Sequence, residues 1–191
     1  MSVRPHNWPD LLVLRHGQTE WNLAGRFQGR RNSDLTELGQ AQAGCQNQIL
    51  QPLLAQYPQR FASPQSRAVH TAQIALGDVP FAQDDRLQEV AFGDWEGLTR
   101  TEIRTQITGD YDDYHWLFQS PNGETFSDMC ARVIAFLDHL SGPAMIVTHG
   151  VTSAVIRGLW LGLSMEDLAV LPKEQGCVIQ LKDGEETTLR I

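Results

Sequence analysis

Leu11-Leu12-Val13-Leu14-Arg15-His16-Gly17 and Ala144-Met145-Ile146-Val147-Thr148-His149-Gly150 share one design. Each opens on four consecutive apolar residues and ends on His-Gly. A run that short, continuous and aliphatic reads as a strand covered on both faces. The Gly behind each His predicts a sharp turn of the backbone. In an open α/β sheet, ligands bind beyond the carboxyl ends of the strands. Two histidines delivered to that edge from opposite ends of the chain predict a single site.

The segments between these runs alternate. After the strand at 11–14 comes a polar loop from Gly17 to Asp34. Thr36 caps a helix that runs to about Leu50, where Pro52 breaks the pattern. The glutamines of that helix read as a solvated face. A short strand is expected at 60–62, and Pro64 suits the entry to a helix at 65–76. An extended piece follows at 80–83. Thr125 caps the clearest helix, with Phe126, Met129, Val133, Leu137 and Leu140 at helical spacing. After the second His-Gly strand come a helix at 152–161 and two strands, 177–181 and 187–191, around an Asp183-Gly184 hairpin turn. Alternating strands and helices predict an α/β protein of three layers, α/β/α, with a mostly parallel sheet. No repeat or linker divides the chain, so residues 1–191 read as a single domain.

Composition sets the outer limits. A chain of 191 residues buries about 70% of its unfolded surface and needs no disulfide or metal staple. A formal net charge of −8 argues against nucleic acid or a membrane surface as partner. Cys45, Cys130 and Cys177 are odd in number and lack zinc-site spacing, as expected of free thiols in a reducing compartment. The first ten residues have no apolar centre, and no run approaches the roughly 20 apolar residues of a membrane span. A cytoplasmic protein is expected. A homodimer is compatible with the sequence, which holds no pattern that decides oligomeric state.

Around His16 the residue types suit a tetrahedral dianion: the permanent cation Arg15, the imidazole itself and, one loop later, the amide of Asn22. Arg67, in the first turns of its helix, offers a second cation. His6, His70, His115 and His139 fit no such pattern; His70 and His139 read as surface residues on helices. Tyr111, Tyr114, His115, Trp116 and Phe118 form an aromatic cluster with two readings, a partial lid over the site within residues 110–124 or satellite core, of which the partial lid is favoured. Trp8, Trp21, Trp95 and Trp160 read as packing.

Four strings in order, RHGQTEWN (15–22), SPQSRAVHTA (63–72), LQEVAFGDWEG (87–97) and VTHG (147–150), resemble the histidine phosphatase superfamily. The branch is the one that also holds the cofactor-dependent phosphoglycerate mutases. The resemblance spans nearly the whole chain. It implies that His16 is the nucleophile and becomes phosphohistidine. Arg15, Asn22, Gln28, Arg67, His149 and Gly150 would form the phosphate pocket, with His149 adding positive charge if protonated. Glu89 would protonate the departing oxygen and then help water attack. No metal and no cofactor are expected. One departure stands out: the family's Asp-x-Pro-Leu-Thr appears here as Asn32-Ser33-Asp34-Leu35-Thr36.

Within that family, mutases are usually longer and carry a basic segment after the glutamate motif. Here residues 95–124 are short and rich in acids, with Arg100 and Arg104 as the cations. Gln18-Thr19 stands where mutases usually have Glu-Ser. The resemblance therefore implies hydrolysis of a small phosphorylated metabolite, by a broad-specificity or α-ribazole-phosphate type of phosphatase. The acidic segment weakly disfavours polyanionic substrates. The alternatives are a phosphoglycerate mutase and a phospho-ligand binding protein without activity.

Overall fold

The computed structural model describes residues 7–107 and 114–191. Six strands form one sheet: β1 (Leu11–Arg15), β2 (Gln59–Ala62), β3 (Ala82–Gln83), β4 (Ala144–Thr148), β5 (Val178–Lys182) and β6 (Glu185–Leu189). Their order is β3-β2-β4-β1-β5-β6. The pairs β2–β3, β2–β4 and β1–β4 are parallel, and β1–β5 and β5–β6 are antiparallel. The antiparallel edge follows from the tight hairpin at Asp183 (φ 53) and Gly184 (φ 87), the paired left-handed residues of a two-residue turn.

Seven helices join the described strands: α1 (Glu20–Leu23), α2 (Glu37–Leu50), α3 (Ser66–Leu76), α4 (Arg100–Arg104), α5 (Phe126–Leu137), α6 (Gly150–Leu161) and α7 (Met165–Val170). Strand residues alternate between two cores, as the period of two requires. Leu12, Leu14, Met145 and Val147 pack with Ile49, Leu50, Ala68 and Ala72 of α2 and α3. Leu11, Val13, Ala144 and Ile146 pack with Met129, Val133, Phe136 and Val155 of α5 and α6. Each Leu, Val, Ile and Met among these strand residues contributes about 1.5–3 kcal/mol by leaving water. The expected three layers are present. Thr36 and Thr125 cap α2 and α5 with side-chain hydrogen bonds to Gly39 N and Asp128 N.

The sequence reading is corrected at several points. Helix α1 lies in a stretch read as loop, and α7 in a stretch given no element. Both are short and held by capping boxes, Thr19 with Asn22 and Ser164 with Asp167. Helix α6 starts at Gly150 rather than 152, and β6 begins at Glu185 rather than 187. Gln46 is fully buried rather than solvated; it donates to the carbonyls of Arg15 (2.9 Å) and Cys177 (3.0 Å) and so ties β1 to β5. His139 sits in the turn after α5 rather than on it. The glycines behind the two histidines do not turn the chain through positive φ. Gly17 serves close approach instead: a Cβ there would fall 2.1 Å from the Gly39 carbonyl oxygen.

The described members of the aromatic cluster divide: His115 is exposed and Phe118 half-buried. Tyr114 and Trp116 are buried in the α5/α6 core, and the Trp116 ring stands 5.6 Å from Phe27 and 6.0 Å from Trp95. Trp8, Trp95 and Trp160 are buried as expected. Tyr111, the rest of residues 108–113, and His6 lie outside the described residues.

Candidate active site

The β1–β4 register pairs Arg15 with Thr148, so the next residue on each strand is a histidine at the same edge. The ladder runs on by one bond, from His16 N to Thr148 O at 2.9 Å. The two imidazoles meet with ring centroids 5.1 Å apart at 62°. Their wiring differs. His16 Nδ1 lies 2.7 Å from the Gly17 carbonyl oxygen. A carbonyl only accepts, so Nδ1 carries the hydrogen and Nε2 keeps its lone pair. His149 Nε2 instead meets Ser63 Oγ at 2.8 Å, and its Nδ1 is buried without a partner among the described residues.

Both imidazoles are held well below the usual histidine pKa. For His16 the cause is burial, followed by the positive charges of Arg67 and Arg15. For His149 it is burial, then Arg67, His16 and Arg15. Burial and these positive charges favour the neutral ring over the protonated His149 considered from sequence.

Arg67 is buried and held from several sides. Its Nε donates to His16 Nε2 (3.2 Å), Nη2 to Gly29 O (2.8 Å), and Nη1 to Arg31 O (2.7 Å) and Asn32 Oδ1 (3.2 Å). Burial lowers its pKa to about 10, with Arg15 acting the same way and Glu89 opposing. Arg15 donates from Nη1 to Lys173 O at 2.5 Å, while its buried Nε has no partner among the described residues. A fixed guanidinium with an unspent donor is suited to an incoming anion.

Glu89 arrives on the loop before residue 93. Its carboxylate accepts from Val90 N (3.1 Å), Val151 N (3.1 Å), Thr152 N (3.0 Å) and Thr152 Oγ1 (3.0 Å). It thus sits at the amino end of α6, where free N–H groups and the helix dipole favour an acid. Gln65 fixes the approach: its Oε1 accepts from Glu89 N (2.7 Å) and its Nε2 donates to Gly29 O (2.9 Å).

One cleft of about 300 Å3 is lined by Arg15, His16, Asn22, Gln28, Arg67, Glu89 and Gly150. These are the expected residues apart from His149, which is fully buried behind His16. Asn22 and Gln28 are both wired to Thr19. Within the described part of residues 110–124, Leu117 reaches the cleft. Sequence reasoning missed the supporting residues Ser63, Gln65, Gln46 and Gln175, the last donating to His16 O (2.9 Å). A signal existed for Gln46: it interrupts the buried stripe Ala43, Ile49, Leu50 of α2. It also gave Lys173, on the cleft wall, no role. Among the described residues no group of three or more His, Cys, Asp or Glu is placed to hold a metal ion, and no helix is long and apolar enough to cross a membrane.

The model of the histidine phosphatase superfamily (branch 1) matches residues 11–189. The chain belongs to that superfamily. A glucosyl-3-phosphoglycerate phosphatase of Mycolicibacterium vanbaalenii is 34% identical over 184 residues, covering 84% of this chain and 78% of the relative. A 2,3-bisphosphoglycerate-dependent phosphoglycerate mutase of Beijerinckia indica is 30% identical over 182 residues, covering 87% of each. The crystal structure of the α-ribazole phosphatase from Shigella flexneri superposes with a TM-score of 0.79 at 27% identity, covering 95% of both chains. Equal coverage with the Beijerinckia enzyme means nearly equal length. Chain length therefore does not separate this superfamily member from such a mutase, against the expectation from sequence.

Proposed function

We propose that this protein is a phosphomonoester hydrolase of the histidine phosphatase superfamily, acting on a small phosphorylated metabolite through a phosphohistidine at His16. The observation that carries the reading is the wiring of His16: Nδ1 tied to Gly17 O, Nε2 bearing the lone pair beside Arg67.

In the first step His16 Nε2 attacks phosphorus, and the bond from phosphorus to the alcohol oxygen breaks. Glu89 gives its carboxyl proton to that oxygen, so a neutral alcohol leaves. In the second step a water loses a proton to Glu89 and its oxygen attacks the phosphohistidine. The N–P bond breaks, orthophosphate departs, and Glu89 is protonated again for the next cycle. Arg15 and Arg67 balance the charge on the phosphoryl oxygens. The hydrogen bond that Arg67 Nε–H now donates to Nε2 can be redirected, without loss of its proton, to an oxygen of the phosphoryl group bonded there. Hydrolysis is favoured over mutase action by Gln18-Thr19 and by the likeness to the Mycolicibacterium phosphatase. The unpaired cysteines 45, 130 and 177 suit a cytoplasmic setting.

Incubation with p-nitrophenyl phosphate is expected to release orthophosphate and to give an acid-labile phosphoenzyme on rapid quench. The reading fails if neither appears. Interconversion of 2- and 3-phosphoglycerate, dependent on 2,3-bisphosphoglycerate and faster than phosphate release, would establish the mutase instead.

A further inference from the structure

Two consecutive carbonyls of the loop after α7 each face a guanidinium. Lys173 O takes Arg15 Nη1 at 2.5 Å, and Pro172 O takes Arg157 Nη1 at 2.6 Å. Arg15 lines the cleft, and Arg157 is not among the residues that do. Arg157 lies on α6, seven residues after Gly150 and so about two turns further along the same face. Arg15 crosses that face at its start: a Cβ on Gly150 would fall 3.5 Å from Arg15 Cζ. One helix face, two guanidiniums and residues 172–173 thus close a ring of contacts.

Arg157 is fully buried. Its Nε and Nη2 donate to the two carboxylate oxygens of Glu186 on β6, at 2.7 and 2.5 Å. That side-on pair fixes the plane of the guanidinium, and with it the direction of Nη1. Proline at 172 restricts the loop backbone. Gln175 pins the other end of the same segment, donating to His16 O at 2.9 Å and Asn22 Oδ1 at 3.3 Å. Among the described residues the Arg15 guanidinium makes no hydrogen bond other than the one to Lys173 O, and its Nε is buried without a partner. A buried ion pair is weak ground for stability, since apolar side chains of similar volume can fill the space as well. An apolar side chain, however, cannot hold a carbonyl. The donor that Arg157 does not use on Glu186 goes to the segment that carries the acceptor of Arg15.

We propose that Arg157 and Glu186 are positioning residues for phosphoryl transfer: through Pro172 and Lys173 they set the direction of the Arg15 guanidinium. Neither touches the reacting group. This rests on the phosphatase reading for the reaction that Arg15 serves.

The test replaces the pair together, Arg157→Met with Glu186→Leu, so that no buried charge is left alone. Two quantities are measured, kcat/KM for p-nitrophenyl phosphate and the calorimetric Kd for orthophosphate. They are taken for the wild type, the double variant, Arg15→Met, and Arg15→Met combined with the double variant. With Arg15 present the double variant is expected to lose ~10-fold in both, about the worth of one hydrogen bond to a charged group. In the Arg15→Met background the same replacement should cost less than ~2-fold, because the group it aims is gone. An equal loss in both backgrounds would make the pair an element of the fold alone and overturn the proposal. A double variant that matches the wild type in both quantities would overturn it too. If circular dichroism shows the double variant unfolded, Glu186→Gln runs the same cycle, with a ~3-fold loss expected beside Arg15 and none without it. Equal losses there again overturn the role. Absence of p-nitrophenyl phosphate hydrolysis by the wild type would defeat the phosphatase reading alone, and the orthophosphate affinities would then decide the positioning role by the same comparison.

Discussion

At the end of β1 the imidazole is tied through Nδ1 to the Gly17 carbonyl; at the end of β4 it is tied through Nε2 to the Ser63 hydroxyl. The two strands lie side by side in register, end on the same His-Gly, and bury their rings 5.1 Å apart. One ring presents its free nitrogen to Arg67 and the cleft, and the other supports it from behind. Identical local sequence therefore does not assign the chemistry. The nitrogen that each ring spends on its neighbour does.

The largest effect should separate the two rings. His16→Ala is expected to remove turnover by at least ~10^3-fold and to abolish covalent labelling, because the attacking atom is gone. His149→Ala should lower turnover by ~10^2-fold yet still yield a phosphoenzyme on rapid quench. Labelling that survives in the first variant and vanishes in the second would reverse the assignment of the two strand ends.

Next comes the acid between them. Glu89→Gln keeps acceptor atoms near the α6 amino end but holds no transferable proton. Turnover of glycerol 3-phosphate should fall by ~10^2–10^4-fold. The first step with p-nitrophenyl phosphate should fall far less, since its leaving group needs little protonation. Equal losses in single-turnover rates on both substrates would remove Glu89 from the acid role.

A finer cut goes through the wiring itself. Ser63→Ala removes the hydrogen bond that holds the His149 ring among the described residues, so that ring can reorient. A net hydrogen bond of about 1 kcal/mol corresponds to roughly a 5-fold change. Turnover should fall by about that much, while phosphoenzyme yield on quench stays high. A loss as deep as that of His16→Ala would mean Ser63 touches the reacting group, and the contrast between the strand ends would need redrawing.

Much of this contrast was legible beforehand, and what was not has a physical reason. The runs at 11–14 and 144–147 declare themselves because a strand buried on both faces has no polar alternation. Thr36 and Thr125 announce their helices through capping chemistry that acts within three residues. Helices α1 and α7 span four and six residues, too few for a periodic signal, and caps plus tertiary contacts decide them. His16, Arg67 and Glu89 were found through their motifs. Lys173 and Gln175 come from a segment without periodicity, and only the fold carries that segment back to Arg15 and His16.

The smallest prediction tests what the two rings share. Burial and the neighbouring guanidiniums hold both well below the usual histidine pKa of 6.5 in the folded protein. The unfolded chain takes up protons on these rings as pH falls through about 6.5, and the native state does not. Their contribution is thus fully present above that pH and is lost progressively below it, toward the folded values. Each ring accounts for a slope of at most about 1.4 kcal/mol per pH unit in that window. His149→Gln keeps an amide within reach of Ser63 and deletes one titrating group. Urea unfolding from about pH 7.5 to about pH 5 should show a shallower decline for the variant than for the wild type, by about one proton. Carboxylates that titrate in the same range are common to both chains and cancel in the difference. Parallel curves would mean that the His149 ring titrates alike in the folded and unfolded chain, and a steeper decline for the variant than for the wild type would mean that the ring already carries its proton in the native state, as a third cation beside Arg15 and Arg67 rather than a neutral prop.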